Sequence, residues 1–203
     1  VIISYFMFRR IAGAGAFRII FYLPALISSV AMTAVFEAFV SPTGPVGWIL
    51  ERIMENPPEL LADSRTATPT ILFYCVWTGF GSNIVLLTGA IYRIPEDVME
   101  YGKLDGIGMM RELFNVVIPL IWPTMSTLVI CNTAGRLTSS GPVLLFTEGQ
   151  YGTMTLGYFI FDRVQAGQYY YPAAIGLLFT FIGVPLTLFV KWVCDRSFDE
   201  VAY

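Results

Sequence analysis

Four long stretches that are almost free of charge constrain the fold of this chain more than any other feature. Three of them contain no charged residue, and the first contains only Glu37. A helix needs about 20 consecutive apolar residues to cross the hydrocarbon core of a bilayer, and each stretch has that length. The sequence therefore predicts an all-α, polytopic membrane helix bundle with four complete transmembrane helices. They are expected at Phe21–Val40, Thr70–Ile91, Leu113–Ala134 and Tyr171–Val190.

The residues before the first stretch predict the end of a fifth membrane helix. Val1–Phe8 is apolar or neutral but too short to span a bilayer, and Arg9 and Arg10 follow it directly. No initiator Met, charged leading segment or small-residue cleavage site is present, so a signal peptide does not account for it. We expect residues 1–203 to form a single transmembrane domain that lacks its N-terminal helices.

The distribution of Lys and Arg between the connecting segments predicts the orientation, because the side richer in these cations is usually cytoplasmic. The richer side carries Arg9, Arg10, Arg18, Arg93, Lys103, Arg111, Lys191 and Arg196, and the other carries Arg52, Arg65, Arg136 and Arg163. The segment between the second and third stretches is therefore predicted to be cytoplasmic. The loops Ser41–Thr68, with an amphipathic piece at Trp48–Glu55, and Gly135–Tyr170 are then external. Tyr169–Tyr171 would form an interfacial belt or, alternatively, a stacking platform for sugar rings.

The predicted cytoplasmic segment, Ile94–Arg111, has the pattern of a short amphipathic helix followed by a bend. Apolar residues recur at helical spacing on one face and polar residues share another. The apolar ones are Ile94, Val98, Tyr101 and Leu104, and the polar ones are Glu96, Glu100 and Lys103. Pro95 suits the first helical position, and Gly106 can adopt the left-handed conformation that closes a helix. Since Asp105 can cap a second helix beginning near Ile107, we expect an elbow in which two short helices meet at an angle.

Several kinds of chemistry have no support in the sequence. Histidine is absent and the three cysteines have no short spacing, so neither a zinc site nor a disulfide framework is indicated. A phosphate-binding loop is also missing, because Gly102–Lys103 has Asp97 where the first glycine of that motif should stand. We expect no metal, no cofactor and no ATP hydrolysis in this chain.

The elbow resembles the cytoplasmic EAA loop of permease subunits in binding-protein-dependent ABC importers. Glu100, Asp105–Gly106 and Pro119 have the spacing of that loop, and Ile94–Glu96 matches its lead-in. The resemblance extends to Val116 and Ile118 before the proline, and to Phe17–Pro24, which is similar to the start of a span in the carbohydrate-uptake (maltose-type) branch. The chain departs from the motif at Tyr101, Gly102 and Ile107, where the family has alanines.

The resemblance implies a permease subunit for a sugar or oligosaccharide in a bacterial inner membrane. Its implied partners are a second permease subunit, two ATPase subunits and an extracytoplasmic solute-binding protein. It also implies that the ATPase is contacted by Glu100, Tyr101, Gly102, Asp105, Gly106, Ile107 and Pro119. Polar residues on the spans could line the solute path or join helices by hydrogen bonds, and the candidates are Asn83, Asn132 and Thr133.

Three alternatives remain open from the residues. A permease of the same superfamily could carry a solute other than a sugar. An intramembrane enzyme would draw its carboxylates from Glu37, Glu148 and Asp162, although Glu37 near a helix end also suits a side chain that reaches the interface. An ion-coupled transporter would be expected to bury ionisable groups near the middle of the bilayer, and the second to fourth stretches contain none.

Overall fold

The structure is a computed structural model that describes residues 1–9, 14–104, 107–137 and 140–197. Within these ranges the regular elements are all helical. They are α1 (Ile2–Phe8), α2 (Ala14–Leu26), α3 (Ser29–Val40), α4 (Pro45–Ile53), α5 (Ala67–Ile91), α6 (Glu96–Leu104), α7 (Met109–Glu112), a π-helical turn (Leu113–Val117), α8 (Ile118–Leu137), α9 (Gly141–Phe146), α10 (Leu156–Gln165) and α11 (Tyr170–Ser197).

Three continuous helices among the described residues are long and apolar enough to cross a membrane. They are Ala67–Ile91, Met109–Gly135, which joins α7, the π-helical turn and most of α8, and Tyr170–Ser197. Each contains one of the predicted charge-free stretches. Large apolar side chains on α11, among them Phe181 and Leu177, are exposed, as expected for a surface that faces lipid or another subunit. The prediction of an all-α membrane helix bundle is confirmed.

The first predicted span is not one continuous helix, so the predicted count of four complete transmembrane helices is not confirmed. α2 ends at Leu26 and α3 begins at Ser29. Pro24 lies in the last turn of α2, where its ring removes one backbone donor. Ser28 then adopts an extended backbone, and its carbonyl accepts the N–H of Met32 at 2.8 Å to start α3. The chain therefore crosses this stretch as two short helices.

The chain divides into two compact units, each with its own buried cluster. The first unit comprises Val1–Leu23, Phe80–Ala134 and Val184–Tyr203. Its core, which we name the Ile91 cluster, is mainly aliphatic and draws on α1, α5, α6 and the long helix Met109–Gly135. The cluster consists of Tyr5, Leu87, Ile91, Ile94, Met99, Leu113, Val117 and Ile121.

The second unit comprises Pro24–Gly79 and Gly135–Gly183. Its core, which we name the Phe36 cluster, consists of Met32, Phe36, Val40 and Tyr74. The rings of Trp77 and Phe146 pack against it, and Phe146 meets Tyr74 edge to face at 4.9 Å between centroids. Offset and edge-to-face ring pairs of this kind contribute about 0.5–1.5 kcal/mol beyond their area burial.

Candidate functional site

The predicted amphipathic helix of the elbow is present as α6, Glu96–Leu104. Pro95 lies just before the helix rather than at its first position, and its carbonyl accepts the N–H of Val98 at 3.1 Å. Glu96 and Asp97 occupy the first turn, where negative charge interacts favourably with the helix dipole. The helix therefore begins one residue later than the sequence predicted.

The two faces of α6 differ as the sequence predicted. Ile94 is buried and Val98 half-buried against the Ile91 cluster. Met99, which was not predicted, is also buried there. Glu96 and Glu100 are exposed. The elbow is therefore held to its own chain by an apolar face, while its carboxylates are free to meet another molecule.

The second arm of the elbow is not a separate helix. Ile107 is half-buried in an irregular segment, and helix begins at Met109, where the Gly108 carbonyl accepts the N–H of Glu112 at 2.9 Å. From there the helix continues without a break to Gly135. The prediction of two short helices is therefore wrong in this respect, because the second arm is the first turn of a membrane-length helix.

The helix widens to a π turn just after the elbow. The N–H of Ile118 donates to the carbonyl of Leu113, five residues earlier, instead of the usual four. Pro119 follows and has no N–H to donate. Isolated π turns in α-helices occur frequently at functional sites. Pro123, four residues further along, also lacks an N–H, so the π turn and the two prolines together interrupt the regular hydrogen bonding at the start of this helix.

A buried ion pair that sequence reasoning missed joins α1 to the second arm. The Arg9 guanidinium donates to Glu112 Oε2, and Arg9 Nε also donates to the Tyr5 hydroxyl at 3.1 Å. The Glu112 side chain is only 2% exposed, and its second oxygen has no hydrogen-bond partner among the described atoms. Arg9 and Glu112 are 103 positions apart, so no local pattern could have paired them.

Several predicted ATPase-coupling residues lie outside the described part of the chain. This applies to Asp105 and Gly106 entirely, and to the surroundings of Tyr101 and Gly102, whose backbone belongs to α6. Of the remaining candidates, Glu100 is exposed, and Ile107 and Pro119 are half-buried. The roles assigned to these residues stay predictions.

The polar candidates for the solute path lie together in the first unit. Asn132 Nδ2 donates to Asn83 Oδ1 at 3.1 Å and to the Leu128 carbonyl at 2.7 Å. This bond joins α5 to α8, and Asn132 is exposed. The Thr133 hydroxyl donates to the Val129 carbonyl of its own helix at 2.8 Å, which leaves it only acceptor capacity for a solute. The asparagines thus join helices while one of them remains accessible.

The carboxylates considered for an intramembrane enzyme lie in the second unit. Glu37 and Glu148 are exposed, and Asp162 is half-buried. Burial raises the pKa of Tyr158 on α10, and the negative charges of Asp162 and Glu148 raise it further. In the described part of the chain, no three His, Cys, Asp or Glu side chains are grouped so that they could hold a metal ion.

Comparison with known protein families identifies the family of this chain. Residues 2–198 match the model of the binding-protein-dependent transport system inner membrane component family. The chain belongs to this family. The family identified from the elbow spacing is thereby confirmed.

Two relatives show how the chain aligns within that family. It is 25% identical over 195 residues to the multiple sugar-binding transport system permease protein MsmF of Streptococcus mutans, covering 94% of this chain and 67% of that protein. It is 23% identical over 142 residues to the maltose/maltodextrin transport system permease protein MalF of Escherichia coli K12. That alignment covers 70% of this chain but only 28% of MalF.

Solved structures with the same fold include two of bacterial alginate transporters. One belongs to a bacterial ABC transporter involved in the import of the acidic polysaccharide alginate, with a TM-score of 0.83 and 22% identity over 95% of this chain and 70% of that chain. Another is a bacterial alginate ABC transporter in complex with an alginate pentasaccharide-bound periplasmic protein. Its TM-score is 0.85, with 21% identity over 98% of this chain and 72% of that chain.

Proposed function

We propose that this chain is a membrane-spanning permease subunit of an ATP-driven importer and forms part of the path of a sugar or oligosaccharide. The observation that carries the proposal is the elbow, where α6 presents exposed carboxylates between two membrane-length helices. The names of MsmF and MalF support a sugar as the solute. The alginate transporters support it through a shared fold.

The same proposal includes the partners and the orientation. The elbow lies in the cytoplasm and contacts one of two ATPase subunits, since the chain has no phosphate-binding loop of its own. A second permease subunit completes the solute path, and an extracytoplasmic solute-binding protein delivers the solute. The greater number of Lys and Arg residues on the elbow side supports this orientation.

The structure suggests how an ATPase would drive the permease. The buried face of α6 packs on the Ile91 cluster, so displacement of α6 also displaces the side chains at the end of α5 and the start of Met109–Gly135. The π turn and Pro119 reduce the regular hydrogen bonding at that start. Bending is therefore easiest between the elbow and the part of the helix within the membrane.

Charge reversal at Glu100 tests the docking role. Because Glu100 is exposed on α6, a solvated carboxylate there contributes about 0–1 kcal/mol to stability. Glu100→Lys should therefore leave expression and membrane insertion nearly unchanged, while solute uptake and co-purification of the ATPase both fall. The matched control is Glu51→Lys, which makes the same charge change at an exposed position of α4, a helix of the same length.

Uptake and ATPase association that are both retained in Glu100→Lys would show that Glu100 is only a solvated residue. Equal losses in Glu51→Lys would indicate a general effect of charge rather than docking. The proposal requires that Glu100→Lys loses association with the ATPase while the subunit stays folded. It also requires that Glu51→Lys keeps that association.

The asparagine pair offers a test of the solute path. Asn132→Leu removes the donor to Asn83 and replaces a polar side chain by an apolar one of similar volume. If Asn132 contacts the solute, uptake should fall while ATP hydrolysis and subunit stability are unchanged. If the pair only joins α5 to α8, stability should fall by about 0.6 kcal/mol, the average for hydrogen bonds between membrane helices, and by no more than about 1.7 kcal/mol. Thr127→Val, five positions earlier on the same helix, is the control, because the Thr127 hydroxyl is exposed and donates to the Pro123 carbonyl of its own helix at 2.8 Å.

A further inference from the structure

Several large apolar side chains of the short helix α4 are exposed rather than packed against the rest of the chain. Ile53 is 73% exposed and Trp48 is 57% exposed, and Ile49 is exposed as well. Ile49 and Ile53 are four positions apart and share one face of the helix, and Trp48 and Arg52, also four apart, lie beside them. The opposite side, with Gly47 and Leu50, is buried or half-buried against the protein. The exposed side of α4 therefore carries three large apolar side chains together with Arg52.

Two glycines hold α4 directly against the end of α3. A Cβ atom at Gly44 would lie 2.2 Å from the Ala38 carbonyl oxygen, and one at Gly47 would lie 2.2 Å from the Pro42 carbonyl oxygen. Such distances exclude any side chain without a backbone shift. The first turn of α4 is therefore packed on the last turn of α3.

The exposed apolar surface also continues from α3. This helix is half of the interrupted apolar stretch, and Val35 and Phe39 in its last two turns are both exposed. In a membrane protein such side chains meet acyl chains. Because α4 begins next to that end, its exposed apolar side chains lie close to those of α3.

The side chains on this face suit a boundary between water and lipid. The Arg52 guanidinium carbon lies 4.4 Å from the centre of the Trp48 ring. Tryptophan is enriched at the head-group level of bilayers, and arginine can extend its charge to lipid phosphates while its stem covers apolar surface. Glu51 lies on the flank of the helix, between its buried and exposed sides.

We propose that α4 is an interfacial helix whose Trp48, Ile49 and Ile53 side chains lie among the glycerol and upper acyl groups of the bilayer, with Arg52 at the phosphates. Amphipathic helices that combine Trp or Ile with a basic residue bind bilayer interfaces in this way. α4 thereby anchors the end of α3 at the membrane surface. The inference depends on neither the solute nor the ATPase, so it can fail while the proposed function stands.

The test is collision accessibility of spin labels in the assembled transporter. Single cysteines would replace Ile49, Ile53 or Glu51 in a variant whose three native cysteines are alanine, reconstituted in nanodiscs of phosphatidylethanolamine and phosphatidylglycerol. We expect labels at 49 and 53 to collide several-fold more with oxygen than with a water-soluble nickel complex. The ratio should reverse at 51, and a label at the half-buried Val46 should collide little with either.

Two results would overturn the inference. Frequent nickel collisions at 49 and 53 would place this face in water. Infrequent collisions with both reagents at 49 and 53, as at 46, would show that another protein subunit covers the face. Retained solute uptake by each labelled variant verifies that the transporter is assembled in every case.

Discussion

Around Ile91 the buried side chains are aliphatic and border an ion pair, whereas around Phe36 they are aromatic and border a pair of hydroxyl groups. In the first unit Arg9 and Glu112 join α1 to the second arm of the elbow. In the second unit the Thr33 and Tyr74 hydroxyls, 3.0 Å apart, join α3 to α5. Both pairs connect helices that are far apart in sequence.

The two polar pairs differ in what their disruption should cost. An ion pair can contribute little net stability, because both charges lose their hydration, yet removal of one partner leaves the other charge buried. A hydroxyl pair loses less hydration and leaves a smaller penalty when broken. The unit that carries the elbow is therefore expected to be the more sensitive to a single substitution.

The largest expected effect is that of Arg9→Met. It leaves the Glu112 carboxylate buried without its partner and should lower the free energy of unfolding by about 3–5 kcal/mol. The double variant Arg9→Met/Glu112→Met should recover most of that loss, because neither charge remains. Reversible unfolding in mixed detergent micelles measures both. Arg93→Met, which changes an exposed arginine of the same unit, is the control.

A double variant that is less stable than Arg9→Met would contradict this account of the ion pair. The outcome would mean that Glu112 has a favourable partner other than Arg9. The comparison between the two clusters would then rest on packing alone.

Phe36→Ala should have the next largest effect, about 3 kcal/mol. Phe36 is 5% exposed and packs against Tyr74, Trp77 and Phe146, so truncation leaves a cavity that these rings cannot fill. The same unfolding measurement applies. Phe39→Ala on the same helix removes an equal volume from an exposed position and should change stability far less.

Equal losses in the two phenylalanine variants would show that the cluster is not specially packed. In that case the exposed face of α3 would have to be covered by another subunit.

The smallest effect is expected from Thr33→Val, about 1 kcal/mol. Thr33 Oγ1 donates to the Ser29 carbonyl at 2.8 Å, so the Tyr74 hydroxyl is the donor between the two side chains. Valine removes the acceptor and keeps the shape. Thr180→Val is the matched control, since that hydroxyl is exposed and donates to the Gly176 carbonyl of its own helix. A loss as large as that of Arg9→Met would remove the contrast between the two clusters.

The three membrane-length helices could be predicted because a charge-free stretch of bilayer length has few other structures open to it. The interruption of the first span could not be predicted. Pro24 indicates a local defect, but it does not indicate the extended backbone at Ser28. A continuous membrane helix often accommodates a proline, so the sequence alone does not distinguish a kink from an interruption.

The elbow was predicted in part. The spacing of the apolar residues correctly predicted α6 and the exposure of Glu100. Such a prediction is possible because the 3.6-residue period can be read from neighbouring residues alone. The continuous second arm and the Arg9–Glu112 pair depend on contacts between segments distant in sequence. A single sequence shows such a pair only as two charges beside apolar stretches.

The π turn also fixes how the elbow is rotated relative to the membrane helix. An α-helix turns by about 100° per residue, and a π turn accommodates one residue more than an α-helical turn of the same length. Conversion of Leu113–Val117 to a regular α-helix with all five residues kept would turn the two ends by about that angle relative to each other. Glu112 would then no longer face Arg9. The register of the elbow is thus set by a single extra residue.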